Sequence, residues 1–389
     1  GHIVQMTNFP REALKLVSIA SYVAQSSHPV PQRRLGRAAW SLESSETDAL
    51  MEKLRQVGVP LVEFAGVKPY RGVLTGFNEA FLIDRPTKER LVRADPRSAE
   101  IIKPYLRGQD MERWVPEWAG LWMIFTGHGV ALEDYPGIQH HLTQHREALE
   151  RRAGTQAWWQ LQATTAFHQL FLQPKVVYQE IQFHPRYCFD DQGLYGNNKT
   201  FILPTADRYL LAVLNSPLLW WHNWRYLPHM KDEALTPAGF LMEQIPIAAP
   251  SDAIRAEVEP AVTRLIALTK TEQAARRDTL DWLRTEFGLE APGQKLAAFA
   301  TLSTDEFVAE VRKRRPKAAG KLSPAGLRAL RDGYAEQATP AQQARTAALG
   351  LERRLAELVN AAYGLTPDEV ALLWATAPPH MPVGQVVHE

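Results

Sequence analysis

The chain changes texture at Pro250, and that change limits the folds open to it. Between residues 61 and 250 short apolar runs alternate with clusters of Gly, Pro, Asn and Asp. Leu61–Phe64, Gly72–Leu74, Phe81–Ile83, Leu121–Phe125, Lys175–Tyr178, Arg186–Phe189 and Thr200–Leu203 read as strands separated by turn chemistry. Two helical patches, Ile138 to Arg152 and Tyr209 to Trp221, interrupt them. After 250 the strand signals stop. Asp252 to Phe287 reads as one long helix closed by Gly288, with short helices over 303–314 and 324–337. A second long helix over 341–362 ends at Gly364, and a short one starts at Pro367. Its apolar stripe, Leu351, Leu355, Leu358 and Val359, predicts antiparallel packing of the two long helices. Ahead of the strands, 10–26 and 44–57 read as helices, the second capped by Ser44 or Ser45 with Glu46 and Asp48 in its first turn. The expected fold class is α+β: a mixed, mainly antiparallel-strand domain followed by an all-helical one. The expected units are a helical lead-in over 1–60, a central domain over 61–250 and a helical domain over 251–389.

Composition narrows the function classes. The single cysteine, Cys188, excludes a disulfide framework within the chain and fits a reducing, cytoplasmic setting. No apolar run reaches 18 residues, because Tyr209 to Trp221 is broken by Asn215, Ser216 and Pro217. Gly1 and His2 lack the marks of a signal peptide and read as a tag remnant, so a fragment of a longer protein is expected. The net charge of +1 is not that of a nonspecific nucleic-acid binder. Basic residues are nevertheless concentrated: residues 85–113 carry 8 Lys/Arg against 5 Asp/Glu, and 301–331 carry 8 against 3.

Familiar catalytic patterns are absent. There is no P-loop, and Gly127-His128-Gly129 fails as a dinucleotide fingerprint because position 132 is Leu132. No nucleophile elbow occurs. No lysine has Asp or Glu two positions before it, as many restriction nucleases require. His229-Met230-Lys231 opens a phospholipase-D-type motif whose aspartate would fall at Thr236. His141 and His145 have the spacing of two metal ligands on a helix, but no glutamate follows His141, and a solvated helix face explains them as well. No metal site is expected.

Four stretches are informative together. They are Tyr70 to Asp84 (YRGVLTGFNEAFLID), Ile101 to Trp114 (IIKPYLRGQDMERW), Lys175–Tyr178 followed by Gly196 to Leu203 (GNNKTFIL), and Tyr209 to Ser216 followed by Phe240 to Pro246. In order and spacing they resemble the TaqI-like C-terminal specificity domain, the target-recognition part of adenine-specific DNA methyltransferases. Such domains occur in type IIG restriction–modification enzymes and in phage-defence methyltransferases of the PglX kind. The resemblance spans roughly 40 to 250, and the tail resembles the helical extension that closes such proteins. It implies sequence-specific recognition of duplex DNA. The family's catalytic motifs, a Gly-containing cofactor loop and Asn-Pro-Pro-Tyr/Phe, are missing, and the one Pro-Pro pair, Pro378-Pro379, follows Ala377. The resemblance therefore places S-adenosylmethionine and base flipping in a methyltransferase half not carried here.

Recognition needs cations to hold phosphates and side chains to read base edges. Arg71, Lys103, Arg107, Arg113 and Lys199 lie in glycine-containing, loop-like stretches and are phosphate candidates, as is the dense run Arg312, Arg314 and Arg315. Asn78, Gln109, Asn197 and Asn198 are amides in the same stretches, with turn-forming roles as the competing reading. Base-reading residues are expected where the resemblance is poorest: Gln179, Gln182, His184, Arg186 and Lys231, with His128, Arg225 and His229. Among the eleven tryptophans, the pairs Trp158-Trp159 and Trp220-Trp221 fit base stacking or, more simply, packing. Two alternatives stay open: an interaction subunit of a defence system that does not touch DNA, and an enzyme built on His141 and His145.

Overall fold

The computed structural model describes residues 2–7, 18–32, 43–127, 129–164, 166–316 and 320–383. Its centre is two four-stranded sheets. The strands are β1 (Tyr70–Arg71), β2 (Leu82–Ile83), β3 (Ile102–Leu106), β4 (Trp122–Ile124), β5 (Lys175–Gln179), β6 (Tyr187–Asp190), β7 (Tyr195–Gly196) and β8 (Thr200–Leu203). One sheet has the order β7-β3-β4-β2 and the other β1-β8-β5-β6. All pairings are antiparallel except β7 with β3, where Tyr195 faces Tyr105 and Gly196 faces Leu106. The chain leaves β7 and turns directly into β8, so one short segment joins both sheets.

The second sheet is buried on both faces, and its two-residue period divides the cores. Val176, Tyr178, Tyr187, Phe189, Phe201 and Leu203 point into a core shared with the helices. Val177, Cys188 and Ile202 point into the core of the first sheet. This explains continuous rather than alternating hydrophobicity in β5 and β8.

The main helices are α1 (Ser45–Val57), α2 (Arg85–Ala94), α3 (Arg208–Leu214), α4 (Pro217–Tyr226), α5 (Asp252–Phe287), α6 (Thr304–Arg314), α7 (Pro324–Ala362) and α8 (Pro367–Ala375). Ser44 caps α1 by accepting from Thr47 N–H, and left-handed Gly288 closes α5. The long helices α5 and α7 run antiparallel. Val258, Val262, Leu265 and Ile266 of α5 share the sheet core with Leu355, Leu358 and Val359 of α7. At the other end Ala275, Leu283 and Phe287 pack with Leu330, Tyr334 and Ala338 in a separate helical core.

Several sequence expectations need correction. Leu61–Ala65 is a short helix, and the pairing strand is Val59–Pro60 against Pro246–Ile247; a four-residue apolar run does not distinguish the two states. Gly72–Leu74 contributes only isolated bridges beside β1. Ile138 to Arg152 splits into Pro136–Thr143 and Arg146–Glu150. Tyr209 to Trp221 splits into α3 and α4, because Ser216 caps the second helix and Pro217 sits in its first turn. The expected break before 341 does not occur: Pro340 lies inside the 39-residue α7. The neighbouring Ala338, Ala341 and Ala344 are all buried, and that packing outweighs a proline penalty of about 3 kcal/mol. Of the expected helix 10–26, residues 18–26 lie among the described residues, and Ile19–Ser26 of them are helical.

Candidate functional site

Three loops meet at one end of the second sheet. Glu180, just past β5, donates its N–H to Lys199 O at 2.8 Å. The turn between β7 and β8 is an Asx turn in which Asn197 Oδ1 accepts from Lys199 N–H at 3.0 Å. Asn197 N–H in turn donates to Leu106 O at 3.2 Å, which ties this turn to the loop after β3. In that loop Arg107 and Asp110 form a fork, and Asp110 also accepts from Arg107 N–H at 2.9 Å. The Gln179 amide donates to Gly108 O and locks the loop against β5. Gly72 completes the junction, since a Cβ there would overlap the carbonyls of Gly196 and Asn197.

This junction gathers charge from distant parts of the sequence. Arg71 reaches Glu180 at 2.5 Å and Asn198 O at 3.3 Å, with its guanidinium 5.1 Å over the Phe201 ring. Lys199 Nζ lies 2.9 Å from the other Glu180 oxygen. Glu180 is 14% exposed, whereas Arg71 and Lys199 are 49% and 61% exposed. Burial pushes the Glu180 carboxyl up, but hydrogen bonds from Lys199 and Arg71 outweigh it and hold the pKa below the usual range. The Asp110 hydrogen bond raises Arg107 further above its ordinary value. Gln109, with its amide oxygen turned inward, accepts from the same guanidinium at 3.2 Å. Three cations thus face two carboxylates, with the cations on the solvent side.

A second lip lies beside it. Gln182 pairs through its backbone with Leu235, joining loop 180–185 to loop 229–235. The Gln182 side chain is buried and donates to Gln179 O at 3.5 Å. The flanking Ile181 and Phe183 are exposed, as is Met230 on the second loop. Lys231 is exposed in a turn whose next residues, Asp232 and Glu233, have left-handed backbones. The His184 ring packs edge-on against His380 at 4.3 Å. Burial, then the neighbouring His380 and Arg186, lower the His184 pKa. His229 is held by Trp224 O at 2.7 Å.

The other sequence candidates lie elsewhere. Lys103 is in β3 rather than in a loop, and burial lowers its pKa. Arg113 is tied to Glu352 of α7 at 2.8 Å and to Asn215 O at 2.6 Å. Arg186 lines a cleft of about 410 Å³ with Glu112, Glu272, Arg276 and Arg345. Asn78 accepts from the Thr75 hydroxyl at 2.6 Å, closing its own turn. Arg225 is buried between Glu43 and the Trp221 ring. Arg314 pairs with Glu310, and Arg315 donates to Phe287 O and Gly320 O at the far end of α5, while Arg312 is exposed. Trp220 and Trp221 are buried and bond to Pro379 O and Thr376; Trp158 and Trp159 pack against the first-sheet core. His141 is buried with Nε2 3.0 Å from Ala80 O, and His145 begins the next short helix. His128 lies outside the described residues. The pairing of Arg107 with Asp110 is one that the sequence offered, beside Asp84 as the other acid; sequence reasoning missed Glu180 and Glu352, because a search for cations passes over the acids that organise them.

Residues 103–247 match the TaqI-like C-terminal specificity domain. Residues 251–359 match a domain of unknown function, DUF8810. The chain is 28% identical over 201 residues to the type II methyltransferase M.PaeR7I of Pseudomonas aeruginosa, covering 49% of this chain and 33% of that protein. Among solved structures it is similar to the type IIL restriction-modification enzyme MmeI in complex with DNA, at 13% identity and a TM-score of 0.44, covering 80% of this chain and 35% of that one. The chain spans about a third of the length of either relative. Three of the four sequence stretches fall in or across the matched segment; Tyr70 to Asp84 precedes it. Residues 103–247 are thus a specificity domain related to those of type II restriction–modification methyltransferases. Among the described residues no helix is long and apolar enough to cross a membrane.

Proposed function

We propose that this chain, with its TaqI-like specificity domain as premise, recognises duplex DNA and presents the target site to an adenine-specific methyltransferase module. The observation that carries the reading is the convergence of Arg71, Arg107 and Lys199 around Glu180 and Gln179 at the junction of the two sheets. Exposed cations on a rigid turn hold phosphates in register, and the amides beside them reach base edges. Asn198, His184 and Lys231 are the readers in this proposal, each bidentate contact contributing about 1–3 kcal/mol of discrimination, while Gln179 is held on Gly108 O and Arg186 lies in the cleft with Glu112. The methyl donor, S-adenosylmethionine, and the pocket for the flipped adenine belong to the methyltransferase module. The setting is restriction–modification or phage defence.

A second reading has its own observation. Ile181, Phe183 and Met230 are exposed on two joined loops, an arrangement that also fits a protein partner. Selection from a random duplex pool, followed by anisotropy at two salt concentrations, separates the two. DNA recognition predicts enrichment of one sequence and affinity falling steeply with salt. No enrichment, with salt-insensitive binding, favours the protein partner.

A further inference from the structure

A cleft of about 600 Å³ lies between the first sheet and α5 and shares no residue with the junction described above. Its charge is one-sided. Arg85, Lys270 and Arg277 line it together with Trp118, Gln192 and Gln273, and no carboxylate does. All three cations are exposed, and among the described residues none of them forms an ion pair. Unpaired cations occur elsewhere on the described surface; what sets this cleft apart is that three of them line it with no carboxylate, whereas Arg276 on the neighbouring face of α5 meets Glu112 and Glu117. The helix offers these cations no ready partner: Lys270 has Ala274 four residues on, and Asp281, four beyond Arg277, is engaged by Arg284. Asp84, beside Arg85, is occupied as the N-cap of α2.

The spacing of the cations indicates the shape of the ligand. Lys270 and Arg277 are seven residues apart on one face of α5, about 10 Å along its axis. Arg85 opens α2 on the opposite wall. Cations held this far apart and left unpaired match an anion with spaced charges better than a single phosphate. The Gln273 amide donates to Val115 O at 3.1 Å and fixes the floor of the cleft.

We propose that this cleft is a second phosphate-binding site, which grips the sugar–phosphate backbone of duplex DNA outside the recognised sequence. The inference rests on the reading of this chain as a DNA-recognition module. Of the cations in residues 85–113 only Arg85 lines the cleft, and α5 supplies the other two from the second wall.

The test uses the full chain and a 30-base-pair duplex carrying the selected sequence. The Arg85→Gln/Lys270→Gln/Arg277→Gln variant is compared with a charge-matched control, Arg264→Gln/Arg328→Gln/Arg353→Gln, drawn from exposed cations outside the cleft. If the cleft holds three phosphates, the slope of log affinity against log salt falls in magnitude by about 2–3 in the cleft variant and by less than 1 in the control. The preference for the selected sequence over a scrambled one stays unchanged. Equal slopes in the two variants, with wild-type binding intact, overturn the cleft and leave the recognition reading standing. No wild-type binding to any duplex overturns the recognition reading itself, and the backbone role of the cleft with it. In that case thermal stabilisation by pyrophosphate, present in wild type and lost in the cleft variant, reassigns the cleft to a free phosphorylated ligand.

Discussion

Arg113 and Glu352 meet at 2.8 Å across the boundary between the sheets and the long helices. The same carboxylate accepts from the Trp114 indole at 2.5 Å. Trp114 is held in a left-handed backbone by Tyr187 O and Phe189 N–H. One acid on α7 therefore orders the end of the Ile101 to Trp114 stretch and docks the helices on the second sheet. Glu352→Ala leaves a largely buried guanidinium with Asn215 O but no counter-charge, and an indole N–H without its acceptor, and is expected to cost about 2–4 kcal/mol. Urea unfolding measures it, and Glu352→Gln should lose clearly less.

Lys175 and Asp190 form an ion pair with both side chains fully buried. Asp190 also accepts from Gln192 N–H at 2.8 Å and Leu194 N–H at 2.9 Å, which shapes the turn leading into β7. Asp190→Ala leaves the ammonium with the Phe171 carbonyl but no counter-charge, and strands two backbone donors, for an expected loss of about 3–5 kcal/mol. Lys175→Met leaves the carboxylate its two N–H donors and should cost less. Equal losses in the two variants would count against this account.

Glu180 restrains Arg71 and Lys199. Glu180→Gln is expected to change stability by less than about 1 kcal/mol, because both partners are well exposed. If the junction binds phosphates, the same variant should bind duplex DNA more tightly and with a steeper salt dependence. Unchanged or weaker binding in anisotropy would remove Arg71 and Lys199 from the interface.

Gly72 is required for space rather than for conformational freedom. Gly72→Ala drives a methyl into the backbone of Gly196 and Asn197, and an expected loss of about 3 kcal/mol follows from the forced shift. Gly66 has nothing within 4 Å but a φ of 65°, so Gly66→Ala should cost only about 1 kcal/mol. Thermal melts of the two variants read the contrast directly.

His222 is buried in α4, with Nδ1 3.1 Å from Asn223 Oδ1. Burial lowers its pKa to about 4, against an unfolded value of about 6.5. Between these values the unfolded chain binds the extra proton, so stability falls as pH drops. Going from pH 7 to pH 5 should cost about 2 kcal/mol through this group alone. In His222→Gln the drop in urea midpoint over that interval should shrink accordingly.

Much of the fold was legible in the chain itself. The ends of α5 follow from the change of texture at Pro250 and from Gly288, and β5, β6 and β8 lie within a residue of their apolar runs. Misreadings fell where local signals compete. Pro340 marks a helix break in isolation, yet α7 runs through it because its flanking alanines are packed. Lys103 looked like a loop cation but sits in β3, since the neighbouring glycine signals only the turn that follows.

By itself the sequence determined the two textures, their change near 250, the long helix α5 and the three stretches that fall in or across the segment matched to a specificity domain. These depend on periodicity and capping, which act over a few residues. Which charges meet was decided only by the tertiary structure. Glu180 faces Arg71 and Lys199, Glu352 closes on Arg113, and Arg85 opposes Lys270 and Arg277 because the β7–β8 turn joins the sheets and α5 and α7 fold back over them. Coulombic partnership depends on distance in space, and along the chain these residues are up to about 240 positions apart.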